Sequence, residues 1–193
     1  MTYESHPLKP FLPSNGRILF LGSFPPPRVR WSMDFFYPNW LNDFWRIMGR
    51  VHYGDTQYFV ISGEKRFDRE RIVDFCQRNG LALYDTATKV CRLKDNASDE
   101  HLEIVEPTDI GALLQAMPQC TSLVTTGGKA SEELHRQLLL ASGISFPMPK
   151  IGESVSLQAY GRTLRWWRMP SSSRAYPLRL EQKAEHYARL FKD

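Results

Sequence analysis

The clearest signal in the hydrophobic pattern is a short apolar run near the start of the chain, Ile18–Leu21, which ends at Gly22. A run of this length that is bounded by turn residues is typical of a strand buried on both faces, and such strands belong to parallel sheets covered by helices. Three prolines at 25–27 follow and hold the chain extended. The pattern predicts a first strand over 17–22 and a stiff loop at its carboxyl end, where open α/β sheets bind ligands.

Later segments repeat this alternation of strand and helix. Further apolar runs predict strands over 81–84 and 122–125, and alternating residues predict a terminal hairpin over 155–160 and 163–168. Apolar residues at helical spacing predict five helices, over 40–49, 68–79, about 107–117, about 128–141 and 178–191. The first of them is expected to begin at an Asn39 cap and to end at Gly49, and the second to close at Gly80.

Three other segments lack a regular pattern. Residues 1–16, with three prolines, are predicted to be an extended lead-in, and the polar residues 86–106 are predicted to be irregular, including Asn96–Asp99. Residues 58–61 form either a short strand or a buried piece of loop. The overall order predicts an α/β fold with a mainly parallel, doubly wound sheet. The strand ends at 22–25, 85 and 126–128 and a loop at 170–176 are expected to meet at one edge of it.

Composition narrows the class of protein only slightly. A chain of 193 residues is expected to form a single domain over 1–193 with a full core. The net charge of +4 is compatible with a polyanionic partner, although many basic proteins bind no nucleic acid. The three cysteines stand far apart and are expected to be buried thiols in a reducing compartment: Cys76, Cys91 and Cys120. Without a membrane-length apolar run or a signal peptide, the prediction is a cytoplasmic protein.

Two polar residues at predicted element ends could carry chemistry. Asn42 lies beneath an aromatic-rich loop, where its amide could hold a water molecule or bond a heterocycle, or could equally bond the backbone. Asp85 follows a buried strand directly and could be a general base. It could also be a helix cap or bond the irregular segment after it. The Gly22–Pro25 stretch, taken alone, is most simply a tight turn.

The loop between Pro170 and Pro177 is the other candidate. Its three serines, its backbone N–H groups and Arg174 would make a phosphate cradle. Serine runs are usually flexible loops, but prolines at both ends favour a shaped one. Lys129, after two glycines at a predicted helix N-terminus, is a weaker phosphate candidate, and the spacing is not that of a Walker motif.

Five stretches occur in an order that resembles the uracil-DNA glycosylase superfamily, closest to its hypoxanthine-DNA (deoxyinosine) glycosylase branch. They are Gly22–Pro25, Tyr37–Gly49, Gly80–Asp85, Thr126–Ala130 and Met169–Ser173. The resemblance implies a three-layer α/β/α sandwich with a mainly parallel central sheet. It implies an enzyme of base excision repair that flips a deaminated base, uracil or hypoxanthine, out of DNA and hydrolyses its N-glycosidic bond. The expected partner is damaged DNA, with no metal, cofactor or membrane, and the protein is expected to be a monomer.

The resemblance also implies roles for individual residues. Asn42 matches the asparagine of the family's Asn-x-Phe-Trp segment and is the main catalytic candidate, with Asp85 the second. The residues expected to contact the base are Gly22, Ser23, Phe24, Pro25, Phe36, Tyr37 and Thr126, with Phe35, Phe36 or Tyr37 stacking on it. The residues expected to contact DNA are Lys129, Pro170, Ser171, Ser172, Ser173, Arg174 and Tyr176. Arg174 or Tyr176 would fill the gap that the flipped nucleotide leaves.

The sequence departs from the family's pattern at three positions. Phe24 stands where many relatives have Asn, Asp or Ala, Met169 stands where the classical uracil enzymes have a catalytic histidine, and Thr126 stands where the closest branch often has Asn. Three scattered cysteines also cannot supply the four ligands of an iron–sulfur cluster. The alternatives to an active glycosylase are a non-catalytic nucleic-acid-binding module on the same fold and a small-molecule hydrolase or nucleotide-binding protein that lost the DNA surface.

Overall fold

The structure of the protein is a computed structural model that describes residues 2–92 and 102–192. The strands in these residues are β1 (Thr2–Ser5), β2 (Ile18–Gly22), β3 (Leu81–Asp85), β4 (Ala87–Arg92), β5 (Leu102–Pro107), β6 (Ser122–Thr126), β7 (Glu153–Ala159) and β8 (Arg162–Met169). The helices are α1 (Phe44–Tyr53), α2 (Arg69–Asn79), α3 (Ile110–Ala116), α4 (Gly128–Ser142) and α5 (Leu180–Arg189), and a 3₁₀ turn lies at Arg28–Arg30.

A five-stranded sheet forms the middle layer of a three-layer α/β/α sandwich, in the order β3-β2-β6-β8-β7. The first four strands in that order are parallel, and β7 pairs antiparallel with β8 through the predicted hairpin. The side chains of Leu19, Phe20 and Leu21 in β2 are completely buried, because helices cover the sheet. The predicted α/β fold with a mainly parallel sheet is therefore confirmed.

A second, antiparallel sheet of three strands, in the order β1-β4-β5, corrects two predictions. Residues 2–5 form its edge strand, where a simple extended lead-in was expected. Within the segment 86–106, which was expected to be irregular, residues 87–92 and 102–106 lie in β4 and β5. The charges that obscured the strands are cross-strand partners, since Arg92 pairs with Glu4 and Lys89 with Glu106. The expectation for Asn96–Asp99 lies outside the described residues.

Helix α1 begins four residues after the predicted start and ends beyond the predicted stop at Gly49. Residues 41–43 cannot be helical because they pair with the loop at 170–177, the serine loop. The Asp43 N–H donates to the Ser172 carbonyl of this loop over 2.8 Å. Gly49 lies inside the helix, where a side chain would collide with the Asp55 carbonyl. The helix closes instead at Gly54, whose φ of 70° is left-handed.

The other predicted elements lie close to where the pattern placed them. Asp68 caps α2 by accepting a hydrogen bond from the Arg71 N–H, and Gly80 closes the helix at a φ of 62°. Residues 58–61 are a loop with a buried Phe59, not a strand. The three cysteines are buried thiols, as expected. None of the helices in residues 2–92 and 102–192 has both the length and the apolar character that crossing a membrane requires.

Candidate active site

A cavity of about 660 Å³ lies at the carboxyl ends of the parallel strands. Its size is in the range of small-ligand sites. Every site residue that the sequence predicted lines it, except Lys129, Pro170 and the possible stacking ring Phe35. The lining residues are Leu8, Gly22, Ser23, Phe24, Pro25, Pro26, Arg30, Phe36, Tyr37, Pro38, Asn39, Leu41, Asn42, Asp85, Thr126, Ser171, Ser172, Ser173, Arg174, Ala175, Tyr176 and Pro177. The fold thus brings the four separate strand ends and loops together at one edge of the sheet.

The three predicted residues outside the cavity have other surroundings. Pro170 is buried, and its carbonyl accepts a hydrogen bond of 2.9 Å from the Tyr187 hydroxyl, which ties the loop to α5. Lys129 is the second residue of α4, is half-buried and does not line the cavity. Phe35, one of the rings considered for stacking on a base, lies in the core and does not line the cavity.

Asp85 is the ionisable side chain at the end of β3, next to Gly22 in the parallel register. Oδ1 of Asp85 occupies the space that a β-carbon on Gly22 would need, so only glycine fits there. Oδ2 lies 2.9 Å from Nε2 of His6, whose side chain is only 2% exposed. Among the described residues, Oδ1 has no hydrogen-bond partner. The carboxylate is therefore held by His6 through Oδ2, while Oδ1 lies against Gly22 in the lining of the cavity.

Sequence reasoning missed His6. It lies 79 residues before Asp85 in a segment that shows no periodic pattern, and a single histidine there carries no signal of its own. The pairing of β1 with β4 and the bridge between Phe11 and Leu83 bring the two side chains together, and neither contact was predicted.

Tyr37 forms part of the cavity wall in an unusual backbone conformation, with a φ of 51°. Its ring stacks on Phe44 at 3.8 Å, and its hydroxyl shares a hydrogen bond of 2.8 Å with the Thr126 hydroxyl. Burial, together with the negative charge of Asp85, raises the pKa of Tyr37 well above its usual value. The phenol is therefore neutral at physiological pH and available as a hydrogen-bonding group.

Asn42 is held between α1 and the serine loop. Its backbone forms a β-bridge with Ser173, and its Oδ1 accepts a hydrogen bond of 2.9 Å from the Phe44 N–H. The side-chain NH2 group has no partner among the described residues. Because the acceptor oxygen is already used, Asn42 offers its donors to whatever occupies the cavity.

A cluster of buried charges lies directly under the serine loop. Asp43 accepts a hydrogen bond of 2.9 Å from Arg174 Nε. Its carboxylate also lies 3.7 Å from Arg46 Nη1 and 3.8 Å from Lys183 Nζ. Lys183 also donates to the Ser173 carbonyl over 2.7 Å. Burial lowers the pKa of Arg46 to about 10 and also lowers the pKa of Lys183. Three cations against one carboxylate leave an excess of positive charge beneath the loop.

Alkaline pH is expected to destabilise the fold through its buried tyrosines. Burial raises the pKa of Tyr37 and Tyr187 above the ordinary value of 10.0. The folded state therefore keeps protons that the unfolded chain loses, and stability falls as the pH rises above 10.0. Each tyrosine contributes a slope of about 1.4 kcal/mol per pH unit.

Urea denaturation from about pH 8 to about pH 11, a range that brackets the ordinary tyrosine pKa of about 10, would measure this slope. The matched variant is Tyr187→Phe, which removes one phenol and keeps the ring. We expect its stability to fall less steeply with pH than that of the wild type. An equal slope in both proteins would contradict the prediction.

Comparisons with known proteins bear on the fold of the chain. No protein-family model and no curated protein matches this sequence. Among solved structures, the chain is similar to the solution NMR structure of a putative uracil DNA glycosylase from Methanosarcina acetivorans. The TM-score is 0.64 and the identity 22%, over 100% of both chains. The likeness shows a shared fold, and the uracil-DNA glycosylase-like sandwich that the sequence resemblance implied is the fold of this chain.

Proposed function

We propose that the protein is a monomeric DNA glycosylase that takes a deaminated base, uracil or hypoxanthine, into the cavity and hydrolyses its N-glycosidic bond. The observation that carries the proposal is that the Asp85 carboxylate and the Asn42 amide line one cavity of about 660 Å³, beside a serine loop that lies over an excess of positive charge. The fold neighbour is named a putative uracil DNA glycosylase, and that name supports the same class of reaction. The proposed setting is base excision repair.

The chemistry follows from what each side chain can donate or accept. Asp85 Oδ1 takes a proton from a water molecule, whose oxygen bonds to the sugar C1′ while the N-glycosidic bond breaks. The base leaves with the bonding electron pair, and the NH2 group of Asn42 donates a hydrogen bond to the negative charge that develops on it. The carboxylate also favours the positive charge that builds up on the sugar, as in related glycoside hydrolysis.

The serine loop and the charge cluster under it are suited to the DNA backbone. The loop is ordered by its own side chains, since Ser171 Oγ accepts from the Ser173 N–H over 3.2 Å. The excess positive charge beneath it attracts phosphate, and Arg174, whose side chain is 44% exposed, can turn toward DNA. Lys129 would contact the backbone beyond the cavity, and Arg174 or Tyr176 on the rim would fill the gap in the base stack.

One observation favours the second candidate, a nucleic-acid-binding module without catalysis. Met169, which stands where the classical uracil enzymes have a histidine, is buried in the core at 1% exposure. No group at that position can help the base to leave, so catalysis depends entirely on Asp85 and Asn42.

Labelled oligonucleotides that carry uracil, hypoxanthine or xanthine, single- and double-stranded, test the proposal. Each is incubated with excess protein and then treated with alkali, which cuts at abasic sites. We expect cleavage at uracil or hypoxanthine, slowed about a hundredfold in Asn42→Ala because one donor to the leaving base is lost. Asn15→Ala is the matched control, since Asn15 is exposed and lies outside the cavity.

Two results would contradict the proposal in different ways. Folded protein that binds DNA in a salt-dependent manner but cuts none of the substrates would favour the binding module. Protein that neither cuts nor binds DNA would favour a small-molecule site in the same cavity.

A further inference from the structure

His6 is a buried titratable side chain that the proposed reaction does not use directly. Its ring lies in contact with three aromatic rings, at centroid distances of 5.3 Å to Phe24, 4.6 Å to Tyr84 and 6.2 Å to Phe36. These rings exclude water from the 2.9 Å contact between Nε2 and Asp85 Oδ2. A hydrogen bond to a carboxylate in such surroundings is stronger than the same bond in water.

The other ring nitrogen of His6 is satisfied in either protonation state. Nδ1 lies 2.9 Å from the Leu8 carbonyl and 3.1 Å from the Leu8 N–H. An imidazolium ring would donate to the carbonyl, and a neutral ring protonated on Nε2 would accept from the N–H. In both states Nε2–H points at Asp85, so the contact survives a change of charge on the ring.

The backbone around His6 is fixed by the second sheet. The His6 N–H donates to the Thr88 carbonyl over 2.8 Å, in line with the pairing of β1 and β4. Leu8, two residues on, lines the cavity itself. The amino-terminal strand therefore places one ring beside one carboxylate oxygen with little freedom to move.

We propose that His6 is a positioning residue for Asp85: it fixes the carboxylate through Oδ2 and leaves Oδ1 to act on a water molecule in the cavity. The inference rests on the proposed glycosylase function and adds to it a residue that acts through another. Among the described residues, the other titratable groups that interact with Asp85 are Tyr37 and Tyr84, and burial raises the pKa of both, so they remain neutral. Two arginines, Arg30 and Arg174, line the same cavity.

The test compares His6→Phe, His6→Gln and wild-type protein in single-turnover excision across a range of pH, together with the affinity for uncut DNA. His6→Phe keeps a ring and loses the donor, so we expect the rate to fall about thirtyfold to a hundredfold, within the range for acid–base effects. The acid limb of its rate–pH profile should move to higher pH, because a hydrogen bond donated to an ionised carboxylate favours the ionised form, and this variant has lost that bond. DNA affinity should not change, and His6→Gln, whose amide can donate, should recover part of the rate.

A matched control replaces another histidine, which is partly buried and does not line the cavity. His52→Phe, at the end of α1, changes the same chemical group among Phe75 and Phe191 and should leave rate and pH profile unchanged. His6→Phe that keeps the wild-type rate and acid limb would overturn the inference alone. Equal losses in His6→Phe and His6→Gln with an unshifted profile would make the role merely structural and overturn it as well. Wild-type protein that cuts no substrate would overturn the proposed function and the inference with it.

Discussion

Replacing Asp85 by asparagine is expected to slow the proposed base excision by about a thousandfold, the middle of the range for losing a positioned general base. Asparagine has nearly the same shape, so the space above Gly22 stays filled and the fold is retained. It cannot accept a proton from water, and it carries no negative charge to favour the cationic sugar. The loss is therefore expected in the chemical step.

Single-turnover excision with protein in excess measures that step without product release. Binding of uncut DNA by the variant should stay the same or tighten, since a negative charge near the phosphate backbone has been removed. Asp34→Asn is the control, because Asp34 is a surface carboxylate with 69% exposure that does not line the cavity. Asp85→Asn protein that excises at the wild-type rate would remove Asp85 from the mechanism.

The sequence was sufficient to predict the central sheet and the edge where the cavity lies. Runs such as Ile18–Leu21 and 81–84 are apolar on both faces, so local pattern alone is enough to predict them as buried strands. The turn residues that end them, including Gly22, placed Asp85 and Thr126 at the same edge, because parallel strands share one carboxyl end.

What the sequence could not predict depends on contacts between distant segments. The strand at 2–5 is recognisable only through its pairing with β4, and so His6 could not be connected with Asp85. The start of α1 was misplaced because hydrogen bonds to the serine loop, more than a hundred residues later, outweigh the helical spacing of residues 40–43. Asn42 consequently lies before the helix, where its side chain bonds the first turn.

The charged residues under the serine loop show the same limit. Lys183 occupies the inner face of α5 beside Ala184 and Tyr187, although the sequence favours an exposed lysine. Its burial is possible only because Asp43 and the Ser173 carbonyl, from two other segments, receive its charge. No local pattern indicates such an arrangement.

Replacing Asp43 by alanine is expected to lower the free energy of unfolding by about 3–5 kcal/mol, the usual cost of removing one partner from a buried ion pair. Arg46 and Lys183 have side chains only 5% and 1% exposed and cannot turn to solvent, so their charges would be left uncompensated. Arg174 is more exposed and can rotate away. The serine loop, which is fixed through Ser173 and Arg174, would lose its anchor as well.

Urea denaturation at neutral pH measures this loss, and two further observations separate charge from packing. The double variant Asp43→Ala/Lys183→Met should be more stable than Asp43→Ala, because it removes one of the uncompensated charges and keeps the apolar stem. Burial lowers the pKa of Lys183, so deprotonation relieves the same charge, and the deficit of Asp43→Ala should shrink as the pH approaches the ordinary lysine value of 10.5. A loss of less than about 1 kcal/mol, as for a surface ion pair, would mean that the cluster is hydrated and does not fix the loop. A large loss that the lysine substitution reverses would show that one carboxylate at the start of α1 compensates the buried cations under the serine loop.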